Sequence, residues 1–92
     1  MATKSKPMAD SAFHPGEYIR EELDERGMSQ RELARQMGRP FQTVNEIVHG
    51  RKAITAETAL DLECVLGGNA ETWLNLQLAY DLTIARQRRA AS

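Results

Sequence analysis

The stretch "SQRELARQMGRPFQTVNEIVHG", Ser29 to Gly50, sets two apolar-periodic segments around one "MGRP". Ser29 is followed three residues on by Glu32, the reciprocal N-cap arrangement that satisfies two orphan amides, so a helix is predicted to open there. It buries Leu33, Ala34 and Met37 and ends at Gly38. Pro40 lets the next helix begin at once, and Val44, Ile47 and Val48 form its narrow apolar stripe before Gly50 stops it. Such a tight turn makes the second helix protrude, which is the geometry of a helix-turn-helix.

Helix signals recur along the rest of the chain, while β-branched alternation does not occur. His14-Pro15 opens a first helix with Tyr18, Ile19 and Leu23 on one face, and Gly27 closes it. Thr55 caps a fourth helix whose apolar set includes Ala59, Leu60, Leu62, Val65 and Leu66, and Gly67-Gly68 stops it. Asn69 caps a fifth, with Glu71 in the first turn where the helix dipole favours negative charge. The fold class predicted is all-α, five helices with the helix-turn-helix at the second and third. Residues 1–12 read as a flexible tail, 13–88 as one domain and 89–92 as a frayed end.

On the fifth helix, Trp73, Leu76, Tyr80 and Ile84 form one stripe, and Leu74, Leu78, Leu82 and Ala85 form another about 140° away. A chain of 92 residues buries only about two-thirds of its unfolded surface. One stripe packs on the core, and the other, Leu74, Leu78 and Leu82, is the predicted homodimer surface. Trp73 is expected to anchor this helix to the core.

The third helix carries the information that a nucleic-acid reader needs. Gln pairs bidentately with adenine, Glu accepts from cytosine, and a Thr methyl or an aromatic ring touches the thymine methyl in the major groove of B-DNA. Off the apolar stripe lie Phe41, Gln42, Thr43, Asn45, Glu46 and His49, and the first five are the expected base-reading set. The net charge of −1 is near neutral, but its distribution is not. From Ser29 to Lys52, Arg31, Arg35, Arg39, Arg51 and Lys52 outnumber Glu32 and Glu46, whereas the first helix carries Glu17, Glu21, Glu22, Asp24 and Glu25 against Arg20 and Arg26. One end is therefore expected to be cationic. Arg39 is placed among the phosphate contacts, and the basic Arg86, Arg88 and Arg89 either extend those contacts or, as is commoner for a terminus, fray in solvent.

Three separated segments, "HPGEYIREELDERGMSQRELARQMG", "VNEIVHGRKAITAETAL" and "TWLNLQLAYDL", resemble the HigA-type antitoxins, also called VapI-like proteins, within the Xre or lambda-repressor-like helix-turn-helix family. The likeness runs from about His14 to about Arg86 and implies a five-helix lambda-repressor-like domain. It implies that Gln30 touches a phosphate, that Gln42, Thr43 and Glu46 face the groove, and that Arg51 and Lys52 lie in the loop that grips the DNA backbone. Pro40 and Phe41 depart from the small polar residues usual there, so Phe41 either wedges against a thymine methyl or packs on the second helix. Glu46 either reads a base or pairs with Arg51. The resemblance further implies a homodimer on double-stranded operator DNA, repressing its own operon, with a small HigB-like partner that is a RelE-like mRNA interferase. The acidic first helix is the candidate face for that basic partner. The rival is a stand-alone repressor without a toxin.

Other chemistries find little support. His14 is read as a cap residue and His49 as the end of the third helix, and no third ligand stands at metal-binding spacing. Cys64 is the only cysteine and is read as buried packing with no His partner. Paired-carboxylate catalysis needs a pocket larger than such a domain forms. No enzyme, catalytic residue, metal or cofactor is expected. No run approaches the ~20 apolar residues of a membrane span, and the N-terminus lacks the apolar core of a secretory signal. A cytoplasmic location is expected.

Overall fold

The computed structural model describes residues 12–91. They form α1 (Pro15–Arg26), α2 (Gln30–Met37), α3 (Phe41–Val48), α4 (Ala56–Leu66) and α5 (Ala70–Ala91), with no strand among the described residues. This is the five-helix, all-α arrangement expected. The tail expected over residues 1–12 lies outside the described residues, apart from Ala12.

Each boundary has a local cause. The His14 ring accepts the Gly16 N–H at its Nδ1 (2.9 Å), Pro15 takes the first helical position, and Gly27 ends α1 in the left-handed conformation at φ 64°. Ser29 Oγ accepts from the Glu32 N–H (3.1 Å). The other half of the expected reciprocal cap is not made: the Glu32 carboxylate accepts instead from Arg35 and from Gln36 Nε2 (2.7 Å). Those partners lie one turn ahead on the same helix face, where a long side chain reaches more easily than back to its own cap. Thr55 Oγ1 caps α4 through the Thr58 N–H (3.3 Å), and Asn69 Oδ1 receives both the Thr72 N–H (2.9 Å) and its hydroxyl (2.8 Å). Pro40, extended at φ −63° and ψ 147°, precedes α3 with no side-chain cap.

The apolar faces meet in one core. Ile19 and Leu23 of α1, Leu33, Ala34 and Met37 of α2, and Val44, Ile47 and Val48 of α3 are buried. Ala59, Leu62 and Leu66 of α4 close it from one side, and Ala70 and Trp73 of α5 from another. α2 packs on α3 and α4, while α1 spans α3 and α5. The start of α1 is pressed hard against the end of α3. A Cβ on buried Gly16 would collide with the Ile47 carbonyl oxygen and lie 2.8 Å from that of Val48.

Several expectations need correction. Leu60 is 57% exposed, and Cys64 is exposed rather than buried. Both lie on the outer stripe of α4, one turn apart, because the core-facing side is taken by Thr58, Ala59, Leu62 and Leu66. On α5, Leu74 packs half-buried against the core, which leaves Leu78 (55%) and Leu82 (42%) as the exposed leucines of the second stripe. The stripe follows α5 away from the core, so its first member is covered and its later ones are not. Trp73 is buried as expected. Residues 89–91 continue α5 as helix where a frayed end was predicted, since Arg and Ala are good helix formers and no Gly or Pro breaks the run.

His14 ties three elements together. Its buried ring caps α1, meets Tyr80 of α5 edge-on at 4.8 Å, and lies against Gly50, just after α3. Burial lowers its pKa below 6.5, and the nearby carboxylates of Asp81 and Glu17 oppose this only in part. The cap bond also requires Nδ1 to be unprotonated. A His whose folded pKa lies below its unfolded one contributes stability that is complete above the unfolded value and is lost as pH falls through the folded value. Urea midpoints should therefore drop between pH ~7 and ~5. In His14→Asn, which keeps a cap but does not titrate, the drop should be visibly smaller, and an equal drop in both proteins would assign it to other groups.

Candidate nucleic-acid interface

α2 and α3 are joined by Gly38, Arg39 and Pro40, with Gly38 left-handed at φ 70°. The turn turns α3 so that Val44, Ile47 and Val48 enter the core while Gln42 and His49 are exposed and Phe41, Thr43, Asn45 and Glu46 are half-buried. Four of the five predicted base readers, Gln42, Thr43, Asn45 and Glu46, thus lie off the buried stripe of one helix, and the fifth, Phe41, meets Arg31 of α2. Two of them are already oriented by neighbours. Asn45 Nδ2 donates to Gln30 Oε1 of α2 (2.9 Å), and Gln42 Nε2 donates to Glu46 Oε2 (3.1 Å). The Asn45 bond uses the acceptor end of Gln30 and leaves its amide donors directed elsewhere.

The loop after α3 is held by main chain and side chain alike. The Arg51 N–H donates to the Glu46 carbonyl (2.8 Å), and Lys52 Nζ lies 3.8 Å from Glu46 Oε1. The anticipated Glu46–Arg51 ion pair is therefore replaced by Glu46–Lys52, with Arg51 bonded through its backbone. Further along the loop, the Ile54 N–H donates to Oε1 of buried Gln77 (2.8 Å), whose Nε2 donates to Asp81 (3.0 Å). Gln77 fastens the loop to α5. Sequence reading passed over it, although a polar residue one turn after Trp73 on the core-facing side of α5 was the available signal.

Arg39, expected at the phosphates, faces the other way. Its Nε donates to Asp61 Oδ2 (2.7 Å) and its Nη2 to Glu57 Oε1 (3.5 Å), both on the outer side of α4. The Asp61 bond raises the Arg39 pKa, with Glu57 adding to it. Two carboxylates against one guanidinium make that corner acidic, so Arg39 serves as a tie between the turn and α4. Arg35 is likewise occupied, bonded to Glu32 on its own helix, which lowers the Glu32 pKa.

Arg31 is a second residue to which the sequence alone gave no individual role. Its guanidinium carbon lies 4.4 Å from the centroid of the Phe41 ring, so Phe41 packs on the α2 side. Cation–aromatic pairing at ten residues' separation has no signature in periodicity; the available hint was a large ring in a position usually held by a small polar residue.

Among the described residues no group of three or more His, Cys, Asp or Glu side chains could hold a metal, and no helix is long and apolar enough to cross a membrane.

A helix-turn-helix family model (HTH_3) matches residues 19–74. Virulence-associated protein I of Dichelobacter nodosus is 48% identical over 77 residues, 83% of this chain and 71% of that protein. Antitoxin HigA-1 of Vibrio cholerae is 36% identical over 94% of this chain and 77% of its own length. Among solved structures, the Pseudomonas aeruginosa antitoxin HigA with the higBA promoter superimposes with a TM-score of 0.84 at 35% identity, covering 88% of this chain and 89% of that one. With the helix-turn-helix at α2 and α3 and these relatives spanning nearly its whole length, the chain belongs to the HigA antitoxin family of Xre-type helix-turn-helix proteins.

Proposed function

We propose that this chain is the antitoxin of a toxin–antitoxin pair, a cytoplasmic protein that acts by binding and not by catalysis, without a cofactor. It dimerises through Leu78 and Leu82 of α5, whose exposure one turn apart on one side of the helix supports an apolar self-association surface. Each α3 enters a major groove of palindromic operator DNA, the half-sites about 34 Å or a multiple of it apart. Gln42, Thr43 and Asn45 read base edges, with Glu46 accepting from a cytosine amino group or holding Lys52. Gln30 and Arg51 contact phosphates. The observation that carries this reading is the polar outward side of α3, braced by Gln30 from α2 and by the Glu46–Arg51 main-chain bond.

The Gln42–Glu46 bond costs little to exchange for bonds to bases, since both groups are exposed or half-buried and already oriented. The acidic side of α1, with Glu17, Glu21, Glu22, Asp24 and Glu25, steers a small basic RelE-like mRNA interferase of the HigB kind onto the folded antitoxin.

Titration against the DNA upstream of its own gene and against a scrambled duplex tests the regulatory half. Two protomers should occupy one palindrome at least ~1,000-fold more tightly than scrambled DNA. Equal affinity for the two duplexes would overturn it. Capture of the tagged chain from its host, with intact-mass spectrometry of whatever co-elutes, tests the other half. A stoichiometric small basic partner that degrades RNA when freed is expected. The chain eluting alone as a dimer would leave a stand-alone repressor.

A further inference from the structure

The acids of the helix-turn-helix and its loop are spoken for. Glu32 holds Arg35, Glu46 holds Lys52, and Arg39 has turned to Asp61 and Glu57. Of the five cations between Ser29 and Lys52, Arg31 and Arg51 are the two that meet no carboxylate among the described residues. Arg51 is already placed at the DNA backbone in the proposed reading. Arg31 has no role there.

Its position is built. The guanidinium lies over the ring of Phe41, the first residue of α3, and the preceding residue Gln30 is bonded to Asn45, one turn further along α3. The start of α2 is therefore locked to α3 at two adjacent points. A guanidinium over an aromatic face is held there by its charge and needs none of its N–H donors for that contact, so the contact and a bond to an anion do not compete. Fixing the plane also removes part of the rotamer entropy that a free Arg would lose on binding. In helix-turn-helix docking the helix before the recognition helix crosses the sugar–phosphate backbone while the recognition helix presents its N-terminal residues to the bases. Arg31 belongs to the first of these, and its guanidinium reaches across to the first residue of the second.

We propose that Arg31 is a phosphate-gripping residue of the DNA interface and that Phe41 is its positioning residue, a platform for the guanidinium and not a reader of the thymine methyl. This rests on the DNA-binding reading above. It also explains the departure at position 41: a small polar residue there could not hold the guanidinium.

The test uses the full chain, its upstream operator segment and a scrambled duplex, titrated over a range of salt. Arg31→Ala should weaken binding to both duplexes by about eightfold per protomer at ~0.1 M salt and flatten the salt slope by about one unit per protomer. Arg31→Lys should retain the slope and recover part of the affinity. Phe41→Leu should lose most of what Arg31→Ala loses, Phe41→Tyr should lose little, and Arg31→Ala/Phe41→Leu should be no weaker than Arg31→Ala. A loss confined to the operator would make Arg31 a base reader and overturn the proposal. So would an unchanged affinity in Arg31→Ala, or losses in the two single variants that multiply in the double. Wild-type protein that does not prefer the operator would instead refute the DNA-binding reading itself.

Discussion

Gly16→Ala should destabilise the domain by about 3 kcal/mol, although replacing Gly by Ala inside a helix ordinarily stabilises by up to about 1 kcal/mol. The sign reverses because the added methyl meets backbone. The Ile47 and Val48 carbonyl oxygens and the Val48 Cα, the last at 2.9 Å, cannot swing aside as a flexible side chain would. α1 would have to lift from the end of α3, opening contacts of Ile19 with the core and moving the ring of His14 off Gly50. Urea unfolding measures the effect directly. Because the pressed segment is the end of α3 itself, the variant should also bind operator less tightly than its residual stability accounts for. A stabilised Gly16→Ala protein would mean that α1 does not approach α3 this closely.

Leu78→Glu/Leu82→Glu should abolish dimer formation and reduce operator affinity by roughly 100-fold or more, while leaving the helical fold of the protomer intact and lowering the thermal midpoint only by what association contributes. In the single protomer both leucines are exposed, at 55% and 42%, so the protomer's own core loses little when they become charged. What is lost is the second half-site. Tethering two α3 helices converts the second binding event into an intramolecular one, an advantage of about 10²–10⁴ that a monomer does not have. Four carboxylates facing one another across the former two-fold axis would repel. Sedimentation and operator titration of the same preparation check it; a dimer that persists in the double variant would move the interface to another surface, of which the exposed Leu60–Cys64 side of α4 is the next candidate.

Local features were legible before the structure. Ser29, Thr55 and Asn69 cap helices because the side chain reaches amides two or three residues away, a geometry fixed by spacing alone. The α2 and α3 stripes were equally readable, since a 3.6-residue period places Leu33, Ala34 and Met37, or Val44, Ile47 and Val48, on one side. What escaped was through-space. Arg39 carries the same charge as Arg51, and only the path of the turn decides that it meets Asp61 rather than faces outward. Leu60 and Val65 both fit an apolar pattern, yet Val65 packs half-buried against the core while Leu60 stays exposed. Gln77, Gly16 and the Arg31–Phe41 stack belong to the same class, each defined by a neighbour at least ten residues away. At the candidate site this ties Arg39 to α4 and sets Phe41 against Arg31 of α2, while Gln42, Thr43, Asn45 and Glu46 lie off the buried stripe of α3.

The central claim is that the outward side of α3 reads base sequence, and Gln42→Ala tests it most directly. Gln42 is exposed, and its side-chain amide donates to Glu46 on the same helix. Its loss should cost about 1 to 3 kcal/mol on the operator and little on scrambled DNA of equal length, with the salt slope unchanged. Equal losses on both duplexes, or no loss on either, would contradict the account.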